Sequence, residues 1–235
     1  MSATEITARG GLPASRCEAG RRYEITPPVV KVLGHVGYDA CYAAMRALTA
    51  SRTPETADEL WITEHEPLYT TGIAGRAEHL PRNSTIPVVR VDRGGQITYH
   101  GPGQTLVYCL IDLARRRITV STMVDLMEQA VIDLLAAYGT RGERRKGAPG
   151  VYVGGSKIAA LGLRVRSGRC YHGVALNVSN DLAPFDAIDP CGYAGLRVTN
   201  TKSLGIATGH RELGERLAHG IASEICAASA VRTTG

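Results

Sequence analysis

Apolar positions recur along this chain with two different periods, and the switches between them mark out its elements. Val29 to Leu33 reads as a strand. Asp39 then stands where it can cap a helix running to about Ala50, with Tyr42, Met45 and Leu48 at helical spacing. Leu60-Trp61-Ile62 is a short strand. A β-branched run from Ile86 to Val91 precedes a glycine-rich stretch, and a second apolar run follows it from Thr105 to Leu113. The clearest helical stripe is Val124, Met127, Val131, Leu134 and Tyr138, in a helix that starts at Thr119 or Ser121 and that Gly139 is placed to end. That stripe is core packing and is assigned no chemistry. Residues 150 to 178 predict three strands joined by tight turns at Gly154-Gly155 and Ser167-Gly168. A last helix, Arg211 to Ala230, carries Leu213, Leu217, Ile221 and Ile225.

The second of those turns has a consequence for register. If its loop is two residues long, Ala160 faces Ala175 and Gly162 faces Gly173, so one sheet face carries four very small side chains. Such a patch leaves room either for an extended ligand against the backbone or for close packing beneath another element, and the two readings weigh equally. By the same parity Lys157 shares a face with Leu161, Leu163 and Val165. A bulge near Ser156 would reverse that.

Composition narrows the class. A chain of 235 residues with 44% hydrophobic content forms one large domain or two small ones; a single domain of this size buries roughly 70% of its unfolded surface and needs no metal or disulfide staple. Lys and Arg exceed Asp and Glu by 27 to 22, a net charge of +5. Local groups at Arg115-Arg116-Arg117 and Arg144-Arg145-Lys146 suit an acidic partner or are simply solvated loops. Aromatics are sparse and no nucleic-acid motif appears, so nucleic acid is not an expected partner. The cysteines at 17, 41, 109, 170, 191 and 226 form no C-x-x-C pair, which argues against a metal or redox site. No apolar run reaches the length of about 18 residues that a membrane span requires. Residues 1 to 27 end in Pro27-Pro28, lack the apolar core of a secretory signal and contain Glu5, Glu18 and Glu24. They read as a loose extension ahead of a domain over 28–235, in a cytoplasmic protein.

The glycine-rich stretch is Arg93-Gly94-Gly95-Gln96-Ile97-Thr98-Tyr99-His100-Gly101-Pro102-Gly103-Gln104. Five Gly or Pro in twelve residues exclude helix or continuous sheet, let backbone approach a ligand, and leave Arg93, Thr98, Tyr99, His100 and Gln104 to supply polar groups. This motif, followed by an aliphatic run with Tyr108, resembles the signature of the lipoate-protein octanoyltransferases. Glu64-His65-Glu66-Pro67-Leu68-Tyr69-Thr70-Thr71-Gly72 resembles a second pattern of that family, with Glu66 in place of its usual proline. His172 to Val178, Asp181-Leu182, Pro184-Phe185 and Pro190-Cys191-Gly192-Tyr193-Ala194-Gly195 follow in the family's order, so the resemblance spans about residues 29 to 200.

What the resemblance implies is an α/β (α+β) single domain like the catalytic fold of biotin and lipoate protein ligases, a mixed sheet with flanking helices. The implied reaction moves an octanoyl group from octanoyl-acyl carrier protein to a lysine on lipoyl domains of 2-oxoacid dehydrogenases or on the glycine-cleavage H protein. No cofactor is implied, because a thioester is already activated. The family's substrate-binding segments fall on Arg93, Gly94, Gly95, Gln96, Ile97, Thr98, Tyr99 and His100, on Ala160, Leu161 and Gly162, and on Gly173, Val174 and Ala175. Its nucleophile falls on Cys191, which also stands in a loop beside Gly192, where a thiol is accessible and an N–H can reach an oxyanion. Its proton partner falls on Lys157. A thiol is mostly protonated at neutral pH, and an apolar setting would ease proton release from the lysine. His100 and His172 are rival bases, read as residues lining the site, since neither has an evident orienting acid. Gly150 to Lys157 has its Ser and Lys in the wrong order for a phosphate loop. The alternatives are an ATP-dependent lipoate ligase of the same fold and a non-catalytic module that binds acyl chains or carriers.

Overall fold

The apolar run after the glycine-rich motif becomes β6 (Gln104–Asp112), all of whose residues are buried, and the larger sheet is built around it. The computed structural model describes residues 26–81, 84–189 and 195–231. From one edge to the other the strands are β1 (Val29–His35), β2 (Glu59–Glu64), β6, β10 (Arg169–Asn177), β9 (Ser156–Arg166), β8 (Val151–Val153) and β7 (Glu143–Arg144). β1 and β2 run parallel and need a crossover, which α1 (Tyr38–Ser51) provides; the other neighbours are antiparallel. A second sheet places β3 (Leu68–Thr71) between β4 (Val88–Arg90) and β5 (Ile97–His100).

Helices cover the large sheet on both faces. After the short α2 (Leu113–Arg116), α3 (Val120–Ala136) and α4 (His210–Val231) lie on one, where Met127 and Val131 meet Leu213, Leu217, Ile221 and Ile225 over Val107, Cys109 and Ile111. The stripes expected for both helices are the faces they bury. On the opposite face α1 sets Cys41 and Met45 against Leu106, Tyr108 and Leu110. Among the described residues no helix is long and apolar enough to cross a membrane.

Local chemistry explains the boundaries. Thr119 accepts from Thr122 N–H at 3.0 Å and caps α3, and Gly139, at φ +72°, follows its last turn. Asp39 does not cap α1. Gly37 holds that position without a side-chain bond, and Asp39 sits in the first turn, where its charge still suits the helix dipole. The turns at Gly154-Gly155 and Ser167-Gly168 have φ of +54° and +80°, and of +50° and +76°, the left-handed pair that a two-residue hairpin requires.

The first basic cluster is largely a structural feature. Arg116 bonds Asp58 at 2.5 Å and Arg115 bonds it at 2.7 Å; Arg52, from the end of α1, adds a third guanidinium at 2.7 Å. Asp58 is wholly buried, and also accepts from Asp112 N–H. Arg144 likewise turns onto Glu128 at 3.1 Å.

Candidate active site

The two sequence motifs meet as partner strands. β3 pairs antiparallel with β5, with Leu68 opposite His100 and Thr71 opposite Ile97. Gly72 makes the meeting possible, because a Cβ there would stand 2.4 Å from Gly95 O and 2.7 Å from Arg93 O. Glu66, the departure from the family pattern, is exposed at the surface, where its carboxylate lies 3.3 Å from His35.

The small-residue patch forms in the expected register: Gly162 opposes Gly173 and Ala160 opposes Ala175. The structure divides the two readings between its halves. At Gly162 a Cβ would stand 3.1 Å from both Arg93 Cδ and Gly94 O, and Gly94 N–H bonds Leu163 O at 2.8 Å, so this glycine exists for close packing of the motif loop. At Gly173 a Cβ would lie 2.1 Å from Val107 O, on the neighbouring strand's backbone. Ala160 and Ala175 lie next along the same face. They help line a cleft of about 520 Å³, counting its open mouth, between the two sheets. Of the expected substrate-binding residues, Arg93, Gly95, Gln96, Ile97, Thr98, His100, Ala160, Leu161, Gly162, Gly173, Val174 and Ala175 line it. Gly94 and Tyr99 do not; the Tyr99 ring packs against Phe185 and Tyr69. Tyr38, Leu106, Tyr108 and His172 complete the walls.

Lys157 lies on the face opposite to the one its parity predicts. Val151 pairs with Ala159 and Tyr152 with Lys157, so β9 spends two residues where β8 spends one. Ile158 is the extra residue of this bulge. Ile158 and Ala159 both enter the helix-side core with Val151, and Lys157 falls beside Tyr152 on the face of Ala160 and Gly162. Its Nζ is buried 5.3 Å from the Tyr152 ring centroid and donates to Pro149 O at 3.0 Å. Gly150, at φ +138°, makes the space: a Cβ there would be 2.9 Å from Lys157 Cε. Main-chain bonds from Lys157 N to Arg197 O (2.9 Å) and from Thr199 N to Lys157 O (3.0 Å) hold the segment downstream of Cys191 against the lysine. Cys191 itself lies outside the described residues.

Both histidines are fixed and neutral. Burial pushes His100 down to about 3, against the opposing pull of its bond to Gln104. With the ring neutral, Nδ1–H donates to Gln104 Oε1 at 2.8 Å and Nε2 accepts from Thr70 Oγ1–H at 3.1 Å. Thr70 Oγ1 in turn accepts from Arg93 at 2.9 Å, and Thr70 O accepts a second Arg93 bond at 2.6 Å. Both ring nitrogens of His100 are therefore occupied, which suits a positioning role rather than a base.

His172 does have an orienting acid, Asp92, one residue before the motif. Its φ of +64° breaks the strand alternation, so that His172 and Tyr171 reach the same carboxylate from adjacent positions. Asp92 accepts from Tyr171, from Tyr42 at 2.8 Å and from His172 Nε2 at 3.2 Å. Burial pushes the Asp92 carboxyl up, but these three bonds together hold it below the ordinary range. Burial pushes His172 down to about 4, and the Asp92 bond only partly offsets it. No spacing rule points to Asp92, because the link depends on the left-handed residue in β10. Among the described residues no three His, Cys, Asp or Glu side chains converge to hold a metal ion.

The arrangement is an apolar cleft with buried polar walls, a lysine on the same sheet face, and motif backbone across its top. Known proteins share this sequence and this fold. The model of the lipoyl protein ligase A/B catalytic domain matches residues 38–222. An octanoyltransferase of Dechloromonas aromatica is 58% identical over 199 residues, 85% of this chain and 97% of that protein. One from Aromatoleum aromaticum is 60% identical over 189 residues, 80% and 82% of the two chains. Among solved structures, a bipartite lipoate protein ligase from Thermoplasma acidophilum shares the fold at a TM-score of 0.71 and 18% identity, covering 86% of this chain and 85% of that one. Biotin protein ligase from Aquifex aeolicus shares it at 0.53 and 10% identity, over 85% and 70%. The chain belongs to the lipoyl protein ligase A/B catalytic domain family and, within it, to the octanoyltransferases.

Proposed function

We propose that this protein moves an octanoyl group from the thioester of acyl carrier protein to a lysine amine of a lipoyl domain, through an acyl-Cys191 intermediate, with residues 28–235 as the catalytic domain. The Cys191 sulfur attacks the thioester carbonyl, a new C–S bond forms, and the carrier thiol leaves. Lys157 takes the Cys191 proton and returns it to the departing sulfur. The acceptor amine then attacks the acyl-cysteine, Lys157 takes a proton from the amine nitrogen, and as the amide forms and the C–S bond breaks it passes that proton to the departing Cys191 sulfur. Nucleotide is not required, since each step starts from a thioester. The alternative, an ATP-dependent ligase, would have to show ATP consumption; a binding module would show no covalent adduct.

The observation that carries this reading is the bulge at Ile158, which brings a buried lysine onto the face of the cleft. Anchoring of the chain on either side of Cys191 supports it. Upstream, Asp189 pairs with His79 at 3.0 Å, and downstream Val198 bridges Lys157. Intact-protein mass spectrometry after mixing with octanoyl carrier protein tests it. A hydroxylamine-labile octanoyl adduct is expected on Cys191, lost in Cys191→Ser on the same timescale. An adduct mapped to Cys170, or none in a single turnover, would overturn the assignment.

A further inference from the structure

Three side chains stand in one row across the face of the sheet: Ala160 on β9, Ala175 on β10 and Leu106 on β6, joined by the pairings Ala160↔Ala175 and Ala175↔Leu106. All three line the cleft. Burial increases along the row, from half-buried Ala160 to Ala175 at 6% and Leu106 at 2% exposure. The open end is therefore on β9, the strand that carries Lys157. The closed end is on β6, where α1 packs Cys41 and Met45 over Leu106 and Tyr108. The adjacent row of Gly162, Gly173 and Tyr108 also lines the cleft but is narrowed at its β9 end, where Arg93 and Gly94 stand over Gly162. A chain entering at β9 has the alanine row as its floor.

We infer that Leu106 is the stop that sets acyl chain length, and that Ala175 is the gauge beside it. The dimension fits eight carbons. Two strand spacings of about 4.8 Å separate β9 from β6, or roughly 9.6 Å. An extended octanoyl chain advances about 1.25 Å for each C–C bond of about 1.52 Å, or roughly 9 Å from its carbonyl carbon to its methyl. A longer chain would drive its last methylenes into Leu106. This inference rests on the octanoyl-transfer reading above.

The test compares kcat/KM for hexanoyl, octanoyl, decanoyl and dodecanoyl carrier thioesters in the wild type, Leu106→Ala, Ala175→Val and Leu110→Ala. Leu110 packs in the same core as Leu106 but outside the cleft, so it controls for general loosening. Leu106→Ala should raise the decanoyl-to-octanoyl ratio about tenfold, the worth of two newly buried methylenes. Ala175→Val should move the preference toward hexanoyl, and this arm decides the matter if Leu106→Ala does not fold. Unchanged ratios in the folded variants, or an equal shift in Leu110→Ala, overturn the ruler while leaving octanoyl transfer intact. A wild type that transfers no acyl chain overturns octanoyl transfer itself and the ruler with it.

Discussion

Acidification should destabilise this protein through its buried histidines from about pH 6.5 downward, starting before ordinary carboxylates begin to titrate. His172 and His100 are held down to about 4 and about 3, in each case first by burial, and both are neutral in the fold at pH 7. In the unfolded chain each titrates near 6.5. As pH falls below that value the unfolded state gains protons that the folded state refuses, and stability declines. The contribution is complete above about 6.5 and is lost progressively toward the folded values. At about pH 4.5 the unfolded state is favoured by roughly two decades at each site, or about 2.7 kcal/mol per histidine. The pair then costs about 5 kcal/mol, against a total stability of about 5–15 kcal/mol for a typical domain. For a chain of this length that corresponds to a fall in Tm of about 10–20 °C. Thermal unfolding followed by circular dichroism from pH 7.5 to 4.5 at constant ionic strength measures it. His100→Gln and His172→Gln should each remove a comparable share of the pH dependence, whatever they do to Tm at pH 7.5, with His65, also pushed down by burial, supplying a further part. A flat wild-type profile, or single variants that keep its full slope, would refute the reasoning.

Three further outcomes follow from the geometry. Lys157→Met keeps the buried stem and removes the amino group, so kcat/KM should fall about 10²–10⁴-fold with little change in Tm; near-normal turnover would exclude a proton-transfer role. Lys157→Arg keeps the positive charge but cannot release a proton near neutral pH, so it should fail nearly as badly. Asp58→Ala leaves the buried Arg52 and Arg116 without their carboxylate and should destabilise by about 3–5 kcal/mol, lowering Tm by roughly 10 °C; an unshifted melt would show that the cluster does not hold the fold. Gly173→Ala sets a methyl 2.1 Å from the Val107 carbonyl, a backbone atom with no rotamer to move to. It should cost about 1–3 kcal/mol, visible as a lower urea midpoint.

Local rules carried the sequence a long way. Tight-turn residues at Ser167-Gly168 fixed the hairpin, and a period of two then fixed which residues oppose one another, so the Gly162–Gly173 and Ala160–Ala175 pairs were legible before any coordinates. Both long helices and their buried stripes were legible for the same reason, because period and caps are properties of neighbouring residues. What remained depended on atoms brought from far along the chain. The bulge at Ile158 arises from pairing with β8, and it moved Lys157 to the other face. The left-handed turn at His172 let Tyr42, Tyr171 and His172 share Asp92, four residues from three separate parts of the chain. Asp58 drew three arginines into one buried cluster, two of them from a run that composition alone would leave on the surface. Periodicity records which way a side chain points relative to its neighbours. Only the packed structure decides what stands opposite it, and here that sets which face of the sheet Lys157 takes and where the cleft ends.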